Sequence, residues 1–222
     1  MNVPATIARG VLAIARAALR APFELRARGW AAALAATLAI AIAYVEKWPI
    51  QHALGGGARG PLETLAQLVA RVGDGETVAV IAAVLFLVGE LGRSKRALRI
   101  AIAFAVSGIW CLTLTKLGQL TFAESRPIAG GAMHFFAFGG HGVSGHASAS
   151  ALWFWPTYEA TRGASRPTRA LVAAGLIAWA LLVGATRIWL DAHFLWNVLA
   201  GFLIGEETGR AGVRWLASSE SK

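Results

Sequence analysis

Residues 100–120, IAIAFAVSGIWCLTLTKLGQL, decide the fold class of this chain. Lys116 is the only charged side chain in this stretch, and it lies close to the end. A helix needs about 20 predominantly apolar residues to cross the hydrocarbon core of a bilayer. The stretch therefore predicts a membrane-spanning helix and, with it, an integral membrane protein.

Five further apolar runs flank this stretch, and they cover residues 30–45, 78–91, 147–158, 170–188 and 194–204. Residues 61–71 have helical periodicity and predict a short interfacial helix. Residues 121–146 contain many glycines and are expected to form a loop. The sequence therefore predicts an all-α fold, a six-transmembrane-helix bundle.

The composition agrees with a membrane protein, since 56% of the 222 residues are hydrophobic, more than a soluble domain of this length needs. Residues 1–28 are rich in Ala and Arg, and we expect them to form an amphipathic basic N-terminal helix on the membrane surface. Residues 29–210 are expected to form the transmembrane domain, and residues 211–222 a polar cytoplasmic tail.

The positive charges predict the topology. Of the 21 Lys and Arg residues, fifteen lie on the side that holds both termini and the loops 93–99 and 162–169, and six lie on the other side. The positive-inside rule places the first side in the cytoplasm. Short basic clusters between apolar runs are typical of a protein on an anionic leaflet, not of a nucleic-acid-binding protein. We therefore expect the inner membrane of a bacterium, with both termini cytoplasmic.

Cationic and polar side chains gather in the loops that should face outward. They are Lys116, Arg126, the Ser144-Gly145-His146 segment, Arg187 and His193. The arginine fork makes paired, charge-assisted hydrogen bonds to phosphate. Ser144-Gly145-His146 precedes a predicted helix, whose free N–H groups and dipole attract anions. These features predict an anion site on the outer side.

Other polar residues of these loops have structural interpretations. His193 and Asn197 are four residues apart and share a helix face, so we expect Asn197 to hold the His193 ring in one orientation. Asp191 is expected to cap the last helix. His134 and His141 flank three phenylalanines, which favours a loop that faces substrate or dips into the membrane over a metal site. Cys111 is the single cysteine of the sequence, which excludes an internal disulfide framework and a cysteine-based metal site.

Three segments, in this order, resemble the tripartite signature of the type 2 phosphatidic acid phosphatase superfamily: Lys-x6-Arg-Pro, Pro-Ser-Gly-His and Ser-Arg-x5-His-x3-Asp. The segments here are Lys116 with Arg126-Pro127, Val143-Ser144-Gly145-His146, and Thr186-Arg187-x5-His193-x3-Asn197. The resemblance covers roughly residues 75–208, and three motifs in order are far more specific than one.

The resemblance implies a metal-independent lipid phosphate phosphatase without a cofactor, formed by residues 29–210. His193 would be the nucleophile that forms a phosphohistidine, and His146 would protonate the leaving oxygen and then activate water. The phosphoryl oxygens would be bound by Lys116, Arg126, Arg187 and the amides of Ser144 and Gly145. The implied substrates are lipid phosphates of the bilayer: a polyprenyl diphosphate, phosphatidylglycerol phosphate, phosphatidic acid or lipid A phosphate. No oligomeric state follows.

The segments depart from the signature at several positions. Nine residues, not six, separate Lys116 from Arg126, so the role of this lysine stays open. Val143 and Thr186 replace proline and serine. Asn197 stands where the signature has aspartate, and in a serine-protease triad the same exchange costs about 10⁴ in rate.

Several functions therefore stay open beside hydrolysis. A lipid phosphotransferase would pass the phosphoryl group from His193 to another lipid. A catalytically weakened phospholipid-binding or transport homologue would explain Asn197. A small multi-pass transporter is disfavoured, because Glu90 and Lys116 lie toward the ends of their spans.

Overall fold

A computed structural model describes residues 27–56 and 59–218. The predicted amphipathic helix of residues 1–28 therefore lies, apart from its last two residues, outside the described residues. The described helices are α1 (Ala27–Val45), α2 (Lys47–Leu54), α3 (Pro61–Val72), α4 (Gly75–Leu91), α5 (Lys95–Thr121), α6 (Gly145–Leu152), α7 (Phe154–Ala160), α8 (Arg166–Trp189) and α9 (Leu195–Ser218). The fold is mainly helical, as predicted.

The glycine-rich segment 121–146 is not only a loop. Strand β1 (Phe122–Glu124) pairs antiparallel with strand β2 (Met133–Phe135). The facing rings of Phe122 and Phe135 meet edge to face, with centroids 6.1 Å apart. Aromatic cross-strand pairs of this kind stabilise short hairpins. The segment predicted as a loop therefore contains a two-stranded hairpin within a mainly helical fold.

Helices α5 and α8 are long and apolar enough to cross a membrane, and α3 with α4, which meet at 48°, would make a third span if taken as one. Large apolar side chains such as Leu87, Leu112 and Leu181 are exposed on these helices, as expected of a surface covered by lipid. The chain is thus built as a membrane protein. The count of six spans stays a prediction.

Two predicted helices have other bounds in the structure. The run 147–158 is divided at Trp153, because Pro156 has no N–H to donate to the carbonyl of Leu152. The last helix does not end near Ile204 but continues to Ser218. Its final turns are held by Leu216, which is buried in the core. The first half of the predicted polar tail is therefore helical and packed.

A ladder of glycines brings α9 close to α6. Gly201, Gly205 and Gly209 are spaced by four residues, and each faces a backbone carbonyl of the segment 144–152. A Cβ at Gly201 would lie 2.6 Å from the Ser144 oxygen, and one at Gly209 would lie 2.8 Å from the Leu152 oxygen. Small residues at this spacing let helix backbones touch. The N-terminus of α6 is thereby fixed against the first turns of α9.

Candidate active site

The second and third motifs are joined by a hydrogen bond between their backbones. The nitrogen of Ser144 donates to the carbonyl oxygen of Asn197 over 3.0 Å. Ser144 also caps α6, because its Oγ accepts a hydrogen bond from the nitrogen of Ala147 over 3.3 Å. The Ser144 amide, which the sequence predicts to bind an anion, is therefore engaged with Asn197. The prediction for the amide of Gly145, at the first position of α6, stays a prediction.

His193 lies in the short turn between α8 and α9 and is 5% exposed. Its Nδ1 lies 3.1 Å from the backbone oxygen of His141. A carbonyl can only accept, so Nδ1 carries the hydrogen and Nε2 keeps its lone pair. Burial, reinforced by the positive charge of Arg187, lowers the pKa of His193 well below its usual range. The ring is therefore neutral at pH 7, as a nucleophile has to be.

The two motif arginines converge on this histidine. Arg126 and Arg187 both interact electrostatically with His193, and the two guanidinium groups also repel each other. Within the described part of the chain, nothing accepts a hydrogen bond from the buried Nε of Arg187. A bound anion such as a phosphoryl group would offset the repulsion between the two guanidinium groups and accept a hydrogen bond from the unpaired Nε.

His146, in the first turn of α6, belongs to the same cluster. It interacts electrostatically with Arg187, Asp74 and Arg126, and with His193 in turn. Its Nε2 lies 3.9 Å from Oδ2 of Asp74. Burial and the charge of Arg187 lower the pKa of His146. The Asp74 carboxylate opposes this shift and favours the protonated imidazole that a general acid requires. Asp74 gives no functional signal in the sequence, because the Gly73-Asp74-Gly75 segment has the composition of a simple helix break.

Lys116 lies at the edge of the cluster. Its exposed side chain donates to Oε1 of Gln119 over 3.1 Å, and Nε2 of Gln119 donates to the carbonyl oxygen of Val143 over 2.8 Å. Thus Gln119, which stands at the lysine position of the signature spacing, contacts the second motif. Lys116 is near enough to His141 to interact with it electrostatically.

Asn197 does not hold the His193 ring, contrary to the expectation from their spacing. Its Oδ1 accepts a hydrogen bond from the nitrogen of Phe194 over 2.7 Å. Its Nδ2 donates to the carbonyl oxygen of Gly142 over 2.7 Å and to Oε2 of Glu124 over 3.2 Å. The prediction fails because α9 begins at Leu195. His193 therefore lies in the preceding turn and not one helical turn away on a shared face.

Asp191 is not the cap of the last helix either. It has a φ of 50°, in the left-handed region, and lies two residues after the end of α8. Its Oδ1 accepts a hydrogen bond from Nε2 of Gln51 over 2.5 Å. Asp191 thus fixes the turn that leads to His193 against α2. At the start of α9, the side-chain oxygen of Asn197 accepts the hydrogen bond from the Phe194 nitrogen.

A cavity of about 760 Å³ opens beside the cluster, between α4, α5 and α6. Its mouth is polar and includes Asp74, Lys116 and Gly145, whereas Phe86 and Ile102 lie at the far end of its apolar walls. Helices α4 and α5 run in opposite directions, so the cavity extends from the cationic cluster along their length. No group of three metal-ligating side chains occurs in residues 27–56 and 59–218.

Comparison with known proteins supports this assignment. The model of the PAP2 superfamily matches residues 115–220, which include all three motifs. The fold is similar to the crystal structure of a transmembrane PAP2 type phosphatidylglycerolphosphate phosphatase from Bacillus subtilis, with a TM-score of 0.52 and 18% identity, over 100% of this chain and 98% of that chain. A search of curated proteins gives no match. The resemblance to the type 2 phosphatidic acid phosphatases is confirmed.

Proposed function

We propose that this chain, which has the fold of a PAP2-type membrane phosphatase, hydrolyses a lipid phosphomonoester or pyrophosphate through a phosphohistidine. The observation that carries the proposal is His193, a buried neutral imidazole whose Nδ1–H is held by a carbonyl beside two converging arginines. Nucleophilic catalysis by histidine needs this tautomer, with Nε2 free to attack.

In the proposed first step, Nε2 of His193 attacks phosphorus and the bond from phosphorus to the leaving oxygen breaks. Protonated His146 donates its proton to that oxygen, so the alcohol or phosphate product leaves neutralised. In the second step His146 takes a proton from water, and the hydroxide attacks the phosphohistidine. Inorganic phosphate is released and His193 is regenerated. Arg126 and Arg187 offset the negative charge of the equatorial oxygens in both steps.

The cavity supports a lipid as substrate. Its polar mouth lies at the cationic cluster and its walls are apolar, so a phosphate headgroup and its hydrocarbon chain have matching surroundings. The candidate substrates are phosphatidylglycerol phosphate, which the similar crystal structure suggests, polyprenyl diphosphates, phosphatidic acid and lipid A phosphate. The charge bias supports an active site on the outer face of a bacterial inner membrane, with cytoplasmic termini.

The test is phosphate release from a panel of these four lipids by the full chain in detergent micelles. We expect release from at least one lipid, and none from the His193→Ala variant. Acid-labile, alkali-stable labelling by a ³²P-lipid would identify the phosphohistidine. Absence of release from every lipid, by a folded chain that still binds them, would favour a phospholipid-binding protein instead.

A phosphotransferase is the second candidate, because the phosphohistidine can be attacked by a lipid hydroxyl in place of water. The open cavity beside the cluster favours it, since a second lipid has access from the bilayer. Addition of a lipid alcohol to the same assay separates the two. Hydrolysis predicts unchanged phosphate release, whereas transfer predicts a labelled lipid product at the expense of inorganic phosphate.

A further inference from the structure

Glu124, at the end of β1, is a buried carboxylate at an unspecified position of the first motif, between Lys116 and Arg126, and 1% of its side chain is exposed. Lys47 Nζ lies 2.7 Å from its Oε1. Trp196 Nε1 donates to Oε2 over 2.9 Å, and Asn197 Nδ2 donates to the same oxygen over 3.2 Å. A charge so deeply buried is costly unless it is fully paired, and this one has a partner at each oxygen.

The amide of Asn197 uses all of its hydrogen-bonding groups. Its single oxygen accepts a hydrogen bond from the nitrogen of Phe194. Its two N–H groups donate to Glu124 and to the carbonyl oxygen of Gly142. An aspartate has no N–H to donate. At position 197 it would therefore turn an oxygen toward two acceptors, one of which is already a carboxylate.

These bonds hold the peptide that contacts His193. The nitrogen of His141 donates to the backbone oxygen of Glu124 over 2.8 Å, and the oxygen of Gly142 is bound by Asn197. Between these two anchors lies the His141 oxygen, the acceptor for Nδ1 of His193. The loop also lies directly on β1, because a Cβ at Gly142 would overlap the backbone oxygen of Phe122.

We infer that Glu124 and Asn197 are positioning residues for His193, and that they act by clamping the 141–142 peptide so that its carbonyl fixes the ring. The inference rests on the proposed function for its catalytic meaning. Asn197 is then the residue that this site requires, because Glu124 supplies the buried negative charge and the carbonyl of His141 supplies the acceptor. The replacement of the signature aspartate by Asn197 is thus explained by the Glu124 carboxylate that faces it.

The test restores the residue of the signature. Asn197→Asp is expected to lower kcat by about tenfold or more, the usual scale for losing a partner that orients a reactive side chain, with KM changed less than about twofold. KM is spared because the arginines that bind phosphate are untouched. Equal or higher kcat in the Asn197→Asp variant would overturn the inference.

Two further variants keep the test decisive. In Asn197→Asp, two carboxylates face each other. Combining it with Glu124→Gln replaces one of the two by an amide, and we expect the double variant to recover part of the kcat that Asn197→Asp loses. No recovery in a folded double variant would overturn the inference. Trp196→Phe is the matched control: it also deletes a donor to Oε2 of Glu124, but it leaves the clamp intact. We expect its kcat to stay close to that of the wild type, and a loss equal to that of Asn197→Asp would mean a general packing effect.

A readout without turnover separates this inference from the proposed function. The chain has five histidines, so ¹⁵N spectra of the wild type and of His193→Gln identify the His193 signal. We expect the Nδ1–H tautomer in the wild type and a mixture of tautomers in Asn197→Asp. Unchanged tautomer in that variant would overturn the clamp, whereas a wild type without phosphatase activity would overturn only the proposed function.

Discussion

Oδ2 of Asp74 lies 3.9 Å from Nε2 of His146, and the two residues reach the site from helices on opposite sides of the cavity mouth. Oδ1 of the same carboxylate caps α4 by accepting a hydrogen bond from the nitrogen of Gly75 over 2.6 Å. One oxygen thus fixes the position of the carboxylate. The other opposes the lowering of the His146 pKa that burial and Arg187 cause.

The first prediction follows from this pair. Asp74→Asn keeps an oxygen for the cap but removes the negative charge, so the pKa of His146 falls. The acid has to be protonated, and activity is lost as pH rises through its pKa. We therefore expect the alkaline limb of the kcat profile to move to lower pH. Glu76→Gln, in the first turn of α4, removes the same charge and is the control. An identical shift of the alkaline limb in Glu76→Gln would point to a general surface effect.

The second prediction concerns the acidic limb of the profile. His193 has to be neutral to attack, and burial with the Arg187 charge lowers the pKa of His193 well below its usual range. The His193 limb therefore removes activity as pH falls through that lowered pKa, whereas the loss at high pH belongs to His146. Arg187→Gln removes the cation and is expected to move this limb to higher pH. A limb that stays in place would contradict the electrostatic coupling of the two residues.

The third prediction tests the anion site. Arg126→Gln removes a guanidinium that faces the developing charge, and we expect kcat/KM to fall by about 10²–10³. Arg71→Gln, at the end of α3, removes the same charge from a residue that the site does not use. The comparison is made with phosphate release under identical micelle conditions. Equal losses in both variants would mean that net charge, not the position of Arg126, governs activity.

The fourth prediction tests the cavity as the place of the lipid chain. Ala105 lines the cavity on α5, so Ala105→Phe narrows it, whereas Leu117 is exposed on the same helix and does not line it. We expect Ala105→Phe to raise KM for long-chain lipid phosphates and to leave a short-chain, water-soluble substrate unaffected. Leu117→Phe should change neither. A similar effect on both substrates would place the hydrocarbon chain elsewhere.

The fifth prediction concerns the C-terminal end of α9. Leu216 is 5% exposed and packs in the main core cluster with Ile100 and Phe104. Leu216→Ala should lower the free energy of unfolding by about 2–5 kcal/mol, the range for a buried leucine. Thermal unfolding in detergent measures the loss. An unchanged midpoint would mean that this end of the helix is not part of the core.

The sequence predicts the converging motif residues because each carries a signal in its own neighbourhood: an arginine before proline, a histidine at a helix start, an arginine six residues before a histidine. Glu124 and Asp74 carry no such signal. Their roles depend on partners 73 and 72 residues away along the chain, at Asn197 and His146. The length of α9 was also missed, since Glu206 and Arg210 interrupt its apolar run yet bond to each other and to Trp155.

The glycine ladder of α9 has a mechanical consequence. Side chains can change rotamer to let two helices slide or separate, but α6 and α9 meet through backbone atoms, which cannot. The start of α6, which carries His146, and the first turns of α9, which follow His193, therefore cannot slide past each other. We expect this contact to keep the two histidines near each other before any substrate binds. The opposite wall of the cavity contains α4, which packs there through apolar side chains such as Val78. We expect this wall, and not the contact between α6 and α9, to adjust when a bulky lipid binds.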